Sequence, residues 1–323
     1  MSLINKVLLT GSTGFVGSEI FEQLASRARH SIVIASRSEL PALEGQHPVF
    51  ALGDFGPHTS WRDALIDVDC VIHTAGRAHV LQQEANALEL FREANTLATL
   101  NLATQAAAAG VKRFVFISSI GVNGASTDDK PFCERSVPAP HADYALSKLE
   151  AEVGLLQLAK STDMEVVIIR PPLVYAAHAP GNFRRLLKLV GTGLPLPFGR
   201  VENRRSMVAL ENLVDLIIVC IDHPAAANQV FLASDGEDLS TSQMIKFLAK
   251  GMGRRAILLP VPVTLLRVLA KLAGKQGIYT QLCGSLQIDC SKANQLLGWT
   301  PPVSPEKAMV LAGKKFIDGH VGL

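Results

Sequence analysis

The first half of the chain alternates short, continuous apolar runs with longer segments in which apolar residues recur every three to four positions. "KVLLT" (6–10), "SIVIAS" (31–36), "PVFALGD" (48–54), "DCVIHTA" (69–75), "KRFVFISS" (112–119) and "MEVVIIR" (164–170) read as strands. Between them, "GFVGSEIFEQLASR" (14–27), the Ala- and Leu-rich stretch from about 81 to 109, and the segment around Tyr144 carry helical spacing. On the Tyr144 segment the spacing predicts a core stripe of Ala145, Leu149, Val153 and Leu156, with Tyr144 and Lys148 at its edge. Strands that are apolar throughout, separated by helices, predict a parallel sheet covered on both faces. The expected fold is therefore α/β, a doubly wound parallel sheet.

After Pro171 the texture changes. Prolines and glycines punctuate "RPPLVYAAHAPGNF" and "GTGLPLPFGR". "LVDLIIVCIDH" (213–223) then reads as a helix and "QVFLAS" (229–234) as a seventh strand. The rest mixes short helices and strands, which predicts a smaller C-terminal α+β domain at the strand ends, where ligands of open α/β sheets bind. The expected division gives 1–178 plus about 206–235 to a dinucleotide-binding domain. It gives about 179–205 and 236–323 to a substrate domain.

Composition narrows the function classes. The chain has 323 residues, 48% hydrophobic and 19% charged, enough apolar content for a large core. A net charge of +2 without a sustained Lys/Arg run argues against a nucleic-acid partner. The five cysteines are scattered without a C-x-x-C pair, so neither a metal site nor a disulfide framework is expected. The first residues lead straight into a strand, so no signal peptide is expected, and the expected compartment is a reducing cytoplasm. The longest apolar stretch, "AILLPVPVTLLRVLAKLAG" (256–274), contains Arg267, Lys271 and two prolines. An integral span should be longer and uncharged. The stretch reads as strand, turn and amphipathic helix, with contact at a membrane surface as the minor alternative.

Chemistry enters with "TGSTGFVG" between the first strand and first helix. Gly11 permits a tight turn, Gly14 lets backbone approach a pyrophosphate, and Gly17 allows close packing of helix on strand. The helix N-terminus offers free N–H groups and a positive dipole end to phosphates. After the second strand, where a carboxylate would read the ribose 2′-hydroxyl of NAD, the chain has Ser36 and Arg37. A guanidinium suits a 2′-phosphate, which favours NADP over NAD. Asp54 could accept a hydrogen bond from the adenine amino group, or cap a following helix.

Tyr144 and Lys148 stand four apart and share a helix face. A free tyrosine, with a pKa of about 10, is a poor base, and a nearby ammonium is expected to lower that value toward the range acid–base work requires. Ser119 ends the fifth strand, 25 residues before Tyr144.

Glycine loop, strand-end serine and Y-x-x-x-K in this order resemble the short-chain dehydrogenase/reductase superfamily. More narrowly, they are similar to its extended branch, the NAD-dependent epimerase/dehydratase family acting on nucleotide sugars. The likeness runs through "TGSTGFVG", "VIHTAG", "FVFISS", "YALSK", "RPPLVY", "NRRSMV" and "DCSKANQLLGWTPPVS". It implies a Rossmann sheet of about seven strands and a homodimer. It implies that Tyr144 is the acid–base residue at a sugar oxygen, that Lys148 lowers its pKa and binds the nicotinamide ribose, and that Ser119 positions the same oxygen. Gly11, Thr13, Gly14, Phe15, Val16 and Gly17 would hold the pyrophosphate. Ser36, Arg37, Asp54 and Phe55 would meet the adenosine end, Thr74, Ala75 and Gly76 would lie along the cofactor, and Pro171 would also contact it. Asn95 would organise the strand ends.

On the substrate side the resemblance implies that Asn182 and Arg205 grip a nucleoside diphosphate, with Arg204 as a rival. "LPLPFG" (194–199) resembles an edge that packs on a uracil ring. Arg77 and His79 follow the fourth strand and could reach a ligand, although a lone histidine is more often structural. Two departures stand out. Asn123 replaces the family's frequent tyrosine after the serine, and the ribose carboxylate is absent.

The implied activity is oxidoreduction at C4 of a UDP-sugar, with NADP or NAD. Ser36–Arg37 tilts the reading toward a 4-keto-sugar reductase of bacterial polysaccharide assembly. A UDP-sugar 4-epimerase is the alternative, and a non-catalytic NADP-binding sensor a distant one. A dehydratase is disfavoured because "SSIGVNG" lacks an acid pair.

Overall fold

A computed structural model describes residues 4–43, 45–78 and 86–321 of the chain. β1 (Lys6–Thr10), α1 (Phe15–Arg27), β2 (Ser31–Ser36), β3 (Val49–Ala51) and β4 (Cys70–His73) come first. α2 (Ala87–Phe91) runs through a π-helical stretch, Arg92–Leu97, into α3 (Ala98–Ala108). β5 (Arg113–Ile117), α4 (Asp143–Ser161) and β6 (Glu165–Arg170) follow. Then come β7 (Val174–Tyr175), α5 (Gly181–Gly191), β8 (Val208–Ala209), α6 (Leu210–Asp222) and β9 (Val230–Leu232). The remainder is helical: α7 (Thr241–Gly251), α8 (Val263–Leu272), α9 (Gln276–Cys283), α10 (Ser291–Leu297) and α11 (Pro305–Val321).

Seven strands form one sheet in the order β3-β2-β1-β4-β5-β6-β9, with every pairing parallel. Successive residues of a strand point to opposite faces. Val7 and Leu9 thus join Ile34, Ile72, Val115 and Val167 in a core shared with α1 and α6. Leu8 joins Val33, Val71, Phe114 and Phe116 in a second core shared with α3 and α4. Covering both faces explains why these strands are apolar without alternation. Trp299 anchors the C-terminal turn in the first core and donates from Nε1 to Asp215 at 3.1 Å. A third core, with Phe183, Leu187, Leu248, Met309 and Phe316, packs α5, α7 and α11 together.

Three expectations change. The helix predicted from about 81 to 109 is broken by the π stretch, and its first residues lie outside the described chain. The third strand pairs over Val49–Ala51 alone, because it is an edge strand whose only partner is β2. The core face of α4 is also not the expected stripe. Ala145, Ser147, Lys148, Ala151, Glu152 and Leu155 are buried, while Val153 is 48% exposed. The helix buries polar groups because the ends of β5 and β6 supply partners for them.

Candidate active site

Strand order reverses between β1 and β4, and the adjoining strand ends leave a crevice. A cavity of about 820 Å³ opens there, in the range of cofactor sites. Gly11, Thr13 and Gly14 line it, with Ser36, Arg37, Asp54 and Phe55 at one end and Thr74, Ala75, Gly76 and Arg77 along β4. Ser12, His73, Leu90, Glu93 and Ala94 also line it and were missed by sequence reasoning. Ser12 lies inside the glycine motif. Leu90, Glu93 and Ala94 have i, i+3, i+4 spacing, one residue ahead of Asn95, and that spacing was the available signal.

The residues present fit a dinucleotide. Gly11 takes φ +76°, and a Cβ there would lie 2.6 Å from Thr74 Oγ1. A Cβ at Gly17 would lie 2.0 Å from the Gly11 carbonyl oxygen, so α1 sits on the turn as only glycine permits. α1 begins with no side-chain cap and no acid in its first turn, which leaves N–H groups for an anion. The Ser12 hydroxyl is buried without a partner among the described residues. Phe15, Val16 and Gly17 stand behind the lining rather than in it.

At the adenosine end the expected residues line the cavity and have neighbours of their own. Ser36 donates its hydroxyl to the Ser38 carbonyl. Arg37 lies 3.9 Å from the Asp54 carboxylate, both of them exposed. Phe55 leans on Trp61 with ring centroids 4.8 Å apart.

Two buried polar networks reach α4, the first from the cavity wall and the second from the ends of β5 and β6. In the first, Thr10 Oγ1 meets His73 Nδ1 at 2.8 Å, and His73 Nε2 meets Thr99 Oγ1 at 3.0 Å. Thr99 spends its proton on the Asn95 carbonyl at 2.7 Å, which assigns the His73 proton to Nε2. Burial pushes His73 down to about 3, so it is a neutral strut. Asn95 accepts from Arg77 N at 2.8 Å and donates to the Arg77 carbonyl and to Ser147 Oγ on α4. The π stretch therefore sets Asn95 between the end of β4 and the Tyr144 helix.

In the second network, Ser118 donates to Glu152, and Arg170 reaches the same carboxylate through Nε and Nη2. Arg170 Nη1 donates to Asn123 Oδ1 at 3.0 Å, and Asn123 Nδ2 donates to the Cys133 carbonyl. Asn123 is 1% exposed and structural, so the substitution in "VNG" does not put a new side chain on a ligand. Pro171 continues this layer, its carbonyl accepting from Ile120 N at 2.9 Å.

Lys148 Nζ donates to the Ile117 carbonyl at 3.0 Å and stands 4.5 Å from the Phe116 ring centroid. A Cβ at Gly76, in the cavity wall, would lie 3.4 Å from that Nζ. Tyr144 is one turn earlier, its ring centroid 6.0 Å from Lys148 Nζ and edge-on to Phe91. Ser119 caps the short turn after β5 by accepting from Gly121 N, and Gly121 lies close to both Ser119 Oγ and Ala145. The structure thus gathers Ser119, Tyr144 and Lys148 around the start of α4.

The expected lowering of the tyrosine pKa is absent. Burial pushes the Tyr144 phenol up to about 12 and the Lys148 ammonium down to about 8. The ammonium spends its hydrogen bond on the Ile117 carbonyl, and desolvation dominates both groups.

Of the residues expected on the substrate side, Arg77 lines the cavity, while Asn182 and Arg205 lie apart from its lining. Asn182 is exposed at the start of α5 and accepts from Arg185 at 3.4 Å. Arg205 is partly buried, bridges the backbones of Leu239 and Leu286, and donates from Nη1 to the Gly284 carbonyl at 3.2 Å. Arg204 is exposed in a separate pocket of about 400 Å³ with Glu202, Asp238 and Gln243. Leu196 and Phe198 of "LPLPFG" are buried in the third core, not presented to a ring. His79 lies outside the described residues. Among those residues no acid, histidine or cysteine cluster could hold a metal, and no helix is long and apolar enough to cross a membrane.

Comparison with known proteins bears on this geometry. The pattern of the NAD dependent epimerase/dehydratase family matches residues 7–233. A UDP-glucose 4-epimerase of Vibrio cholerae is 45% identical over 317 residues, 97% of this chain and 96% of that protein. The structure of the Thermotoga maritima UDP-glucose 4-epimerase with UDP-glucose superposes with a TM-score of 0.77 at 20% identity, covering 98% of this chain and 99% of that one. A short-chain dehydrogenase/reductase superfamily protein of Agrobacterium tumefaciens with bound NAD gives 0.76 at 18% identity, covering 98% of each.

Proposed function

The chain belongs to the NAD dependent epimerase/dehydratase family, and from that premise we propose that it is a UDP-sugar 4-epimerase that uses NAD. The observation that carries the reading is Lys148 Nζ beside Gly76 in the cavity wall, with Tyr144 one turn earlier on the same helix. The 45% identical relative named a UDP-glucose 4-epimerase supports the reaction over a one-way reductase. The reductase reading rested on Arg37 as a 2′-phosphate ligand. With the Asp54 carboxylate 3.9 Å from that guanidinium, a 2′-phosphate would meet a like charge, which favours NAD.

When bound, the dinucleotide supplies the acceptor and donor of hydride at the sugar C4. Tyr144 moves the proton at O4. As a phenolate its oxygen would take the O4 proton while the sugar is oxidised at C4, and as a phenol it would return that proton to O4 when C4 is reduced on the opposite face. Lys148, cationic at neutral pH, stands 6.0 Å from the Tyr144 ring centroid, where its charge would offset part of the desolvation that holds the phenol up at about 12. Ser119, held by the turn at Gly121, positions O4 between them. Asn95 keeps Arg77 and α4 in register. Residues 179–205 and 236–323 form the sugar-side domain, with Asn182 and Arg205 toward the diphosphate. Leu97 and Val153, each 48% exposed, give the expected homodimer an apolar face.

The test offers UDP-glucose and UDP-galactose separately, then their 2-acetamido counterparts, and follows nicotinamide absorbance beside product separation. Interconversion without net change in the cofactor is expected. Stoichiometric loss of added NADPH on a 4-keto UDP-sugar, with no interconversion of the 4-hydroxy pairs, would overturn the proposal in favour of a reductase.

A further inference from the structure

Residues 239–288 contain seven lysines and arginines (Lys246, Lys250, Arg254, Arg255, Arg267, Lys271 and Lys275) and not one aspartate or glutamate. Lys250 pairs with Glu306 across the helix boundary. Among the described residues, no carboxylate lies within ion-pair distance of the other six.

The same segment exposes aliphatic surface. Ile257, Leu259, Leu265, Val268, Leu269, Leu272 and Ile278 are seven of the fifteen large hydrophobic residues exposed among the described residues. Leu265, Val268, Leu269 and Leu272 have i, i+3, i+4, i+7 spacing, so they form one stripe along α8. Leu272 at the end of that stripe is 81% exposed. α8 and α9 bury no residue, while Val263 and Leu266 attach the inner side of α8 to the third core. Lys271 borders the stripe and Lys275 follows it, while Arg267, on the other side of α8, donates from Nε to the Tyr279 hydroxyl at 3.3 Å.

We propose that the α8–α9 face docks on the surface of an anionic lipid bilayer, with the leucine stripe at the acyl boundary and the basic residues at the phosphates. An exposed apolar stripe edged by Lys and Arg is the composition of an interfacial helix. Long basic side chains lay their stems along such a stripe and keep their charges at headgroup level. α8 has ten residues, too few to span a bilayer, so it lies in the interface plane. Charge selects lipid over a second copy. An isologous contact through this face would set unpaired cations against the same cations, a like-charge contact that disfavours association. The backbone of Ile257 and Leu259 is bonded to Leu196 and Gly199, which fixes the patch rigidly to the sugar-side domain.

The experiment sediments the full chain with vesicles of phosphatidylcholine alone and of phosphatidylcholine with phosphatidylglycerol. Binding to the anionic vesicles, not to the neutral ones, is expected, and added salt should weaken it. Lys271→Glu and Lys275→Glu should each weaken it by about five-fold or more. The double variant Leu269→Asp/Leu272→Asp should lose binding yet keep its thermal midpoint and its turnover of a soluble UDP-sugar. No sedimentation with anionic vesicles would overturn the proposal. So would unchanged binding by the double aspartate variant. A wild-type dimer in solution that the same variant turns into monomer would assign the face to a second copy and overturn it as well.

Discussion

α4 and α8 break the rule of apolar-inside, polar-outside in opposite directions. α4 buries Ser147, Lys148 and Glu152 and leaves Val153 48% exposed. α8 buries nothing and exposes four aliphatic residues on one face. The physical terms differ. A charge can be buried on α4 because the strand ends provide the Ile117 carbonyl, Ser118 and Arg170 as partners. Leucine can be exposed on α8 because nothing in the described chain covers it. The first inversion marks a buried polar layer at the strand ends, and the second leaves an apolar face uncovered among the described residues. Hydrophobic periodicity finds both helices and reports neither inversion.

The comparison is most strongly tested at Tyr144, where α4 meets chemistry. Tyr144→Phe removes the proposed proton carrier and keeps the ring against Phe91. It should lower turnover by about a hundred-fold to ten-thousand-fold, with dinucleotide affinity and the thermal midpoint retained. Near-normal turnover would remove α4 from the reaction. The next effect concerns the layer beneath. Glu152→Ala strands Arg170 and Ser118 in the core and should cost about 3–5 kcal/mol in urea unfolding. A loss below about 1 kcal/mol, the range of surface ion pairs, would show the layer is dispensable.

The smallest effect is read from pH. Burial holds Lys148 at about 8 against an ordinary value of 10.5. Between those values the unfolded chain binds the proton and the folded one releases it, so stability should rise with pH across that window. Below about 8 both states are protonated and the burial penalty is fully felt. The gain from pH 8 to 10 should be on the order of 1–2 kcal/mol, before Tyr144, held at about 12, reverses the slope. In Lys148→Met that rise should vanish relative to wild type. A parallel profile for the two proteins would mean the ammonium is solvated.

The strands, their parallel pairing and the glycine turn were legible because each depends on local pattern: β-branched runs, two covered faces, and a turn with no room for a Cβ. The cavity lining was half legible. Thr74 to Gly76 follow from the strand end, but Leu90, Glu93 and Ala94 arrive from a helix whose π turn no periodicity announces. Asn123 shows the opposite failure. A position that stood out as a departure from the family's pattern is held in the core by Arg170, a partner 47 residues away.

The sequence by itself determined the doubly wound sheet, the tight glycine turn and the family, because these rest on spacing within a few residues of the chain. Only the tertiary structure decided which side of α4 is buried, that Asp54 sits beside Arg37, and that desolvation raises the Tyr144 pKa while Lys148 is engaged elsewhere. Those outcomes depend on charges and carbonyls brought together from distant segments. Their energies are set by burial and by separations of a few ångströms, quantities that a linear pattern does not contain.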